Sequence, residues 1–309
     1  KRVYLDFTRN PVGLELDRLP DEAHSYLERS GALFGTPIER LDKMNRGAIE
    51  LYASHGIDLW NEPLEIAVCA QHCNGGVAVD AHWQSEVEGL YVVGEAAGTF
   101  GVYRPGGSAL NSTQTGSLFA AIVIAKKKKA FAMPSEAVLS DISEEIGTLF
   151  AMTGGEVSRD EILSRRMAMG KRMSECAAFL RNEAKLQTAI AECRGELLRF
   201  TEDYRLQDEA DMTDALINRD VLQTQLVYFG AILDYIADGG KSRGSYLLLK
   251  DNGVDLLSST PEIDTAHAAF VQNTTLGKDL SVTSFFEPVR PLPASEQWFE
   301  TVWNRRKKR

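Results

Sequence analysis

Gly89-Leu90-Tyr91-Val92-Val93-Gly94-Glu95-Ala96-Ala97-Gly98 is followed two residues later by Gly101-Val102-Tyr103-Arg104-Pro105-Gly106-Gly107-Ser108-Ala109-Leu110-Asn111. The first string reads as an apolar strand, entered from Gly89 and ended by Gly94, that delivers an acid to its carboxyl end. In open α/β sheets ligands bind off the carboxyl ends of strands, and a carboxylate there suits the hydroxyl donors of a sugar or polyol. The second string is a glycine-rich turn that opens into a helix. The first N–H groups of a helix have no intrahelical acceptor, so such a start stabilises negative charge. Arg104 stands immediately before the turn, where its guanidinium could grip a carboxylate with two parallel hydrogen bonds. Each piece also has a plain structural reading: a tight turn, a solvated strand end, a surface ion pair. Standing together in this order they are far more specific.

Eight glycines fall between Gly75 and Gly107, both included. That density marks a backbone that turns sharply or approaches something closely. Two further short strands are expected upstream, Ile66 to Ala70 and Val77 to Asp80. Downstream, a helix from Ser108 to about Lys127 is expected, with Ser108 as its cap. Its first half is small (Ser112, Thr113, Thr115, Gly116, Ser117), so a strand or a flat ring could come close to it. Its second half is apolar, and lysines at its end complement the dipole.

The flanks are of a different kind. Val3 to Phe7 reads as a strand, Pro20-Asp21-Glu22 as a helix start, and Pro37 to His55 as a helix. Residues 135 to 240 are predicted to be helical. Ser158 to Glu161 is a capping box. A stripe follows it at Leu163, Met167, Gly170, Met173, Ala177, Leu180 and Ala184, and a second runs Met212, Leu216, Leu222, Leu226, Phe229, Leu233 and Ile236. The second closes at Gly239-Gly240, a helix stop. The methionines are expected to fill the core. Beyond Ser242 come short strands, loops and a helical Glu296 to Asn304.

With 309 residues, 44% of them hydrophobic, the chain can build one large core or two ordinary ones. Its net charge of −10 argues against a nucleic acid partner. Cys69, Cys73, Cys176 and Cys193 are too few and too irregular for a disulfide framework or a zinc site, so reduced thiols and a cytoplasmic protein are expected, with no metal assigned. No apolar run reaches the roughly 18 residues of a membrane span. No signal peptide is evident, and an opening at Lys1 inside a strand suggests part of a longer chain.

The string Gly89 to Gly98, with Gly101, Arg104, Gly106, Gly107 and Leu110, resembles the last FAD-binding motif of the succinate dehydrogenase, fumarate reductase and L-aspartate oxidase flavoproteins. Their pattern is G-L-Y-A-x-G-E, a short glycine-containing loop, then N-R-L-G-G-N-S-L. His72 to Val77 is similar to their H-x-x-x-G-G-[IV], Val3 to Asp6 to the strand after their capping-domain catalytic loop, and Ser242 to Ser245 to their S-R-G-x-H. The resemblance is strong over about 50 residues and loose over most of the chain.

The resemblance implies FAD as cofactor, held at Gly94, Glu95, Gly106, Gly107, Ser108, Ala109 and Leu110. Glu95 would meet the ribityl chain, and the amides of Ala109 and Leu110 the flavin pyrimidine ring. Arg104 would bind a carboxylate of a small substrate and His72 would be a second ligand. Three departures stand against a simple transfer. Only Cys73 and Asn74 separate His72 from Gly75, so Gln71 occupies the family's His position, and either residue could face the substrate. Tyr103 and Pro105 replace the Asn and Leu that flank the Arg, and Ser108-Ala109-Leu110 stands for N-S-L. The proton-shuttling Arg and the G-x-G-x-x-G of the family are not in these residues.

The expected architecture is α+β: a capping-domain remnant (1–65), a small β-rich piece of an FAD-binding domain (66–130), and a carboxy-terminal helical bundle with an irregular tail (131–309). The implied function is part of an FAD-dependent oxidoreductase that passes hydride between flavin and a carboxylate-bearing substrate, with an electron-transfer partner. The isolated chain is expected to be inactive. The alternatives are a non-catalytic fragment or subunit that binds FAD only with a missing amino-terminal half, and a purely structural domain.

Overall fold

The computed structural model describes residues 2–67, 75–100, 107–127, 133–243, 246–249, 261–291, 294–295, 297, 301 and 304–305. The chain divides into two compact units, Lys1–Lys128 and Lys129–Arg309.

In the first unit β1 (Val3–Leu5) is followed by helices α1 (Asp21–Arg29) and α2 (Pro37–Ser54) and by β2 (Leu64–Ile66), which pairs antiparallel with β1, Val3 opposite Ile66. Ile38 and Ile49 of α2 close a small core with Leu59, and Phe7, Tyr52 and Leu64 pack against it. Proline stands at the start of α2, where no hydrogen-bonding N–H is needed, and the N–H of Thr36 donates to the Glu39 carboxylate (2.7 Å). The helix is not continuous, as the spacing had suggested. Asn45 leaves helical geometry (φ −156°, ψ 71°), and its side-chain oxygen accepts the Ala48 N–H, restarting the helix beyond the kink.

Two expected strands are absent. Val77 to Asp80 and Leu90 to Val93 form only isolated bridges, Gly76 with Ala97 and Gln84 with Tyr91. The reason is local: the Asp80 carboxylate accepts the N–H groups of His82 and Gln84, curling the chain into a turn before a ladder can grow. Helix α3 (Ser108–Lys126) forms as expected, but its cap is Gly107, left-handed at φ +79°, not Ser108.

The second unit comprises α4 (Glu136–Phe150), β3 (Thr153–Val157), α5 (Arg159–Cys176), β4 (Leu180–Asn182), α6 (Glu183–Leu198), the single turn α7 (Phe200–Asp203), α8 (Met212–Ala237), β5 (Leu247–Leu249), which runs parallel to β4, and the antiparallel hairpin β6 (Phe270–Leu276) and β7 (Val282–Pro288). Ser158 caps α5 by accepting the Glu161 N–H. The core joins α5, α6 and α8 through Ile162, Met169, Leu186, Cys193, Leu222, Leu226 and Phe229. Helix α8 uses the central part of its expected stripe. Helix α5 does not: Leu163 is exposed and Met167 is 78% exposed, while the buried line is Ile162, Met169 and Cys176. Ile162 and Leu163 are adjacent, about 100° apart around the helix, so spacing alone admits either face. The helix also ends at Cys176, so no stripe runs through to Ala184.

Polar groups index this bundle. Asn218 and Gln225, both on α8 and both buried, donate to the carbonyls of Ile162 (2.8 Å) and Met169 (2.5 Å) on α5. Arg166 donates to Asn218 Oδ1 (2.8 Å), and Arg172 to Gln225 Oε1 (3.2 Å) and Glu196. Burial pushes the Cys193 thiol up to about 11, leaving it protonated and inert near neutrality. Cys69 and Cys73 lie outside the described residues.

Candidate functional site

Gly94, Glu95 and Ala96 form a single tight helical turn that packs on the first turns of α3. Gly94 is buried with φ +70°, and a Cβ there would meet the Thr113 side chain at 3.3 Å. Thr113 is itself fixed by donating to the Ala109 carbonyl (2.9 Å). The other side of the turn is closed by backbone. Val77 N–H donates to the Ala96 carbonyl (2.7 Å), and Gly76 and Gly98 press together so closely that a Cβ on either would lie within 2.5 Å of peptide atoms. Close backbone approach thus accounts for Gly76 and Gly98, and a left-handed φ against the Thr113 side chain for Gly94.

Helix α3 is held from one side by an indole. Trp83, at φ +67°, lies over Gly116, where a Cβ would come 2.5 Å from the ring. His82 stacks with Phe119 (6.1 Å between centroids, 11° between planes). The flat body admitted by the small residues of α3 therefore includes a side chain of the protein itself. Trp83 is the positioning residue that sequence reasoning missed. Its only signal was the Asp80-Ala81-His82-Trp83-Gln84 run, where an Asp that can accept two backbone N–H groups makes a turn.

Among the described residues nothing comes within 4 Å of where a Cβ on Gly107 would sit, so the amino end of α3 is open there. Leu110 is 71% exposed, an apolar side chain beside a helix start. Its N–H donates to the Gly107 carbonyl (3.1 Å). The structure thus brings Gly94 and Glu95 next to the helix that begins with Gly107, Ser108, Ala109 and Leu110. Gln71, His72, Arg104 and Gly106 lie outside the described residues. An exposed acid, a turn of tightly packed glycines and an open helix start fit a bound polyol and a delocalised anion.

Residues 4–110 match the FAD binding domain family. Over part of its length the chain is similar to flavoproteins that include fumarate reductase and L-aspartate oxidase. It is 26% identical over 237 residues to a fumarate reductase (CoM/CoB) polypeptide from Methanothermobacter marburgensis, covering 76% of this chain and 39% of that one. It is 28% identical over 176 residues to an L-aspartate oxidase from Synechocystis, covering 56% and 29%. Its fold is similar to that of FrdA from E. coli quinol fumarate reductase, with a TM-score of 0.64 and 17% identity over 96% of this chain and 56% of that one. The α+β architecture follows from that likeness, and the cofactor indicated by these comparisons is FAD. The chain spans well under half the length of the curated relatives cited. None of its described helices is long and apolar enough to cross a membrane.

Proposed function

We propose that this chain supplies one side of the flavin site of an FAD-dependent oxidoreductase acting on a small carboxylate-bearing substrate, with electrons exchanged with a separate electron-transfer partner. The observation that carries the reading is the seating of the Gly94–Ala96 turn on α3, which sets an acid and a helix start on neighbouring elements. Hydride transfer is the chemistry that the flavin supplies when bound. Glu95 accepts hydrogen bonds from the ribityl hydroxyls. The N–H of Ala109, with the positive end of the α3 dipole, stabilises negative charge that gathers on the flavin pyrimidine ring. Gly106 and Gly107 allow the close approach that this needs. Arg104 orients the substrate through its carboxylate. Buried, reduced Cys176 and Cys193 are in keeping with a cytoplasmic setting. The three-part division at residues 65 and 130 is carried forward as part of this reading.

Flavin binding by the 309-residue chain alone is expected to be weak, because these residues hold no G-x-G-x-x-G to seat the diphosphate. Titration with FAD, followed by fluorescence quenching, checks this, with and without an amino-terminal flavoprotein segment supplied in trans. Tight stoichiometric binding by the chain alone would place the main grip within these residues. A failure of the supplied segment to restore binding would sink the flavin-site reading itself.

The substrate side turns on Gln71 and His72. A spacing to Gly75-Gly76 shorter by one residue would turn an extended chain to its opposite face, which favours Gln71 over His72 as the substrate-side residue. A neutral amide there hydrogen-bonds a carboxylate without titrating near neutrality. In the full-length protein, His72→Gln should be nearly silent between about pH 5.5 and 8.5, whereas Gln71→Ala should lose activity. The reverse pattern would restore His72 as the ligand.

A further inference from the structure

His267 sits in a short turn, Ala266–Ala269, that leads into β6, and its ring is 10% exposed. Nδ1 lies 2.7 Å from Asp264 Oδ2, and Nε2 lies 3.0 Å from Asp238 Oδ2, just past the end of α8. Ionised carboxylates only accept, and a neutral imidazole has one N–H to give. Both bonds form together only when both ring nitrogens carry protons. We propose that His267 is a protonated pin that fastens the β6–β7 hairpin to the carboxyl end of α8, and that the fastening loosens as pH rises.

The surroundings support a cation. Asp264 comes from the pin's own segment, Asp238 and Tyr235 from α8 and its end, and, among the described residues, β7 contributes the uncharged ring of Phe286 at 5.2 Å. Asp264 is held as a carboxylate: it accepts from the Tyr235 hydroxyl and the His267 N–H (3.2 Å), and its carboxyl stays well below the usual range despite burial. Tyr235 is pushed up by burial and remains a donor. The nearby Lys241 ammonium pairs with Glu262, so it does not replace the imidazolium between the two aspartates. The Asp238 carboxylate, above all, raises His267 above its ordinary value of about 6.5, Asp264 adds to this and burial opposes it. The stabilisation is therefore complete below about pH 6.5 and lost as pH rises through the higher value of the folded chain. Other contacts that seat the hairpin carry no group that titrates between about pH 6 and 9: Val282 packs on Gly230, the Gln272 amide donates to the Ala231 carbonyl (2.7 Å), and the Arg194 guanidinium donates to the Leu280 carbonyl (3.3 Å).

The test follows the ring protons of the five histidines of the full chain by NMR. The His267 signal is assigned by its loss in His267→Gln. Amide exchange across 270–288 is measured at about pH 6 and about pH 9, after correction for intrinsic rates. His267 should titrate above the ordinary imidazole value of about 6.5, and Asp238→Asn should bring its midpoint down. Corrected hairpin exchange should quicken severalfold on going to high pH in the wild type and change much less in Asp238→Asn. That variant alters an exposed side chain, so it keeps the test available if His267→Gln fails to fold. A His267 midpoint at or below about 6.5 would overturn the proposal, as would hairpin protection that does not vary with pH.

Discussion

Gly98→Ala is expected to destabilise the first unit by about 2–5 kcal/mol and to lower whatever FAD it binds. The residue has φ +63°, where an L side chain costs about 1–2 kcal/mol. An added Cβ would also lie 2.5 Å from the Gly76 nitrogen and 2.8 Å from the Gly75 carbonyl carbon. Those are backbone atoms, so no side chain can swing aside, and overpacking of this kind costs typically about 1–3 kcal/mol more. Relief would separate Gly76 from Ala97 and tilt the Gly94–Ala96 turn away from α3. Gly89→Ala is the matched control. It has φ +88° but nothing within 4 Å, so it should cost only the conformational part, about 1–2 kcal/mol. Urea unfolding followed by tryptophan fluorescence measures both. Equal losses would show that the close approach of Gly76 and Gly98 contributes nothing.

Arg104→Lys, in the full-length protein, should leave flavin content unchanged and cut turnover about 30- to 150-fold. That factor corresponds to about 2–3 kcal/mol, the scale of a lost hydrogen bond between charged groups. Lysine keeps the charge but has no planar fork, so one of two parallel bonds to the substrate carboxylate is lost. The prediction rests on the proposed substrate role of Arg104. Flavin absorbance per protein and kcat/KM separate the outcomes. Loss of flavin with normal activity per bound flavin would make Arg104 a cofactor ligand.

The likeness to these flavoproteins was legible because one short string joined an acid, a glycine turn and a helix start in fixed order, and the α+β class followed from it. Helix ends marked by Pro37, Ser158 and Gly239 were legible too, since each has a local backbone cause. The strands at Val77 and Leu90 were misread because an aspartate side chain, not the hydrophobic pattern, sets the chain direction near Asp80. The buried face of α5 was misread because Ile162 and Leu163 are equally apolar. Two amides on another helix select between them, and that choice is invisible in a local window. Trp83 over Gly116 was out of reach for the same reason, being a contact between residues 33 positions apart.

The two amides of α8 lie seven residues apart, as do the two α5 carbonyls that they meet. They work as a vernier with two marks. Sliding one helix along the other by a single turn, about 5.4 Å, would take both buried amides off the carbonyls that they meet. Intermediate positions satisfy neither mark. The helix pair therefore has one seating and no neighbouring one, so it parts by separating and not by creeping. A sequence change at either mark shifts the worth of the other, which couples positions 218 and 225.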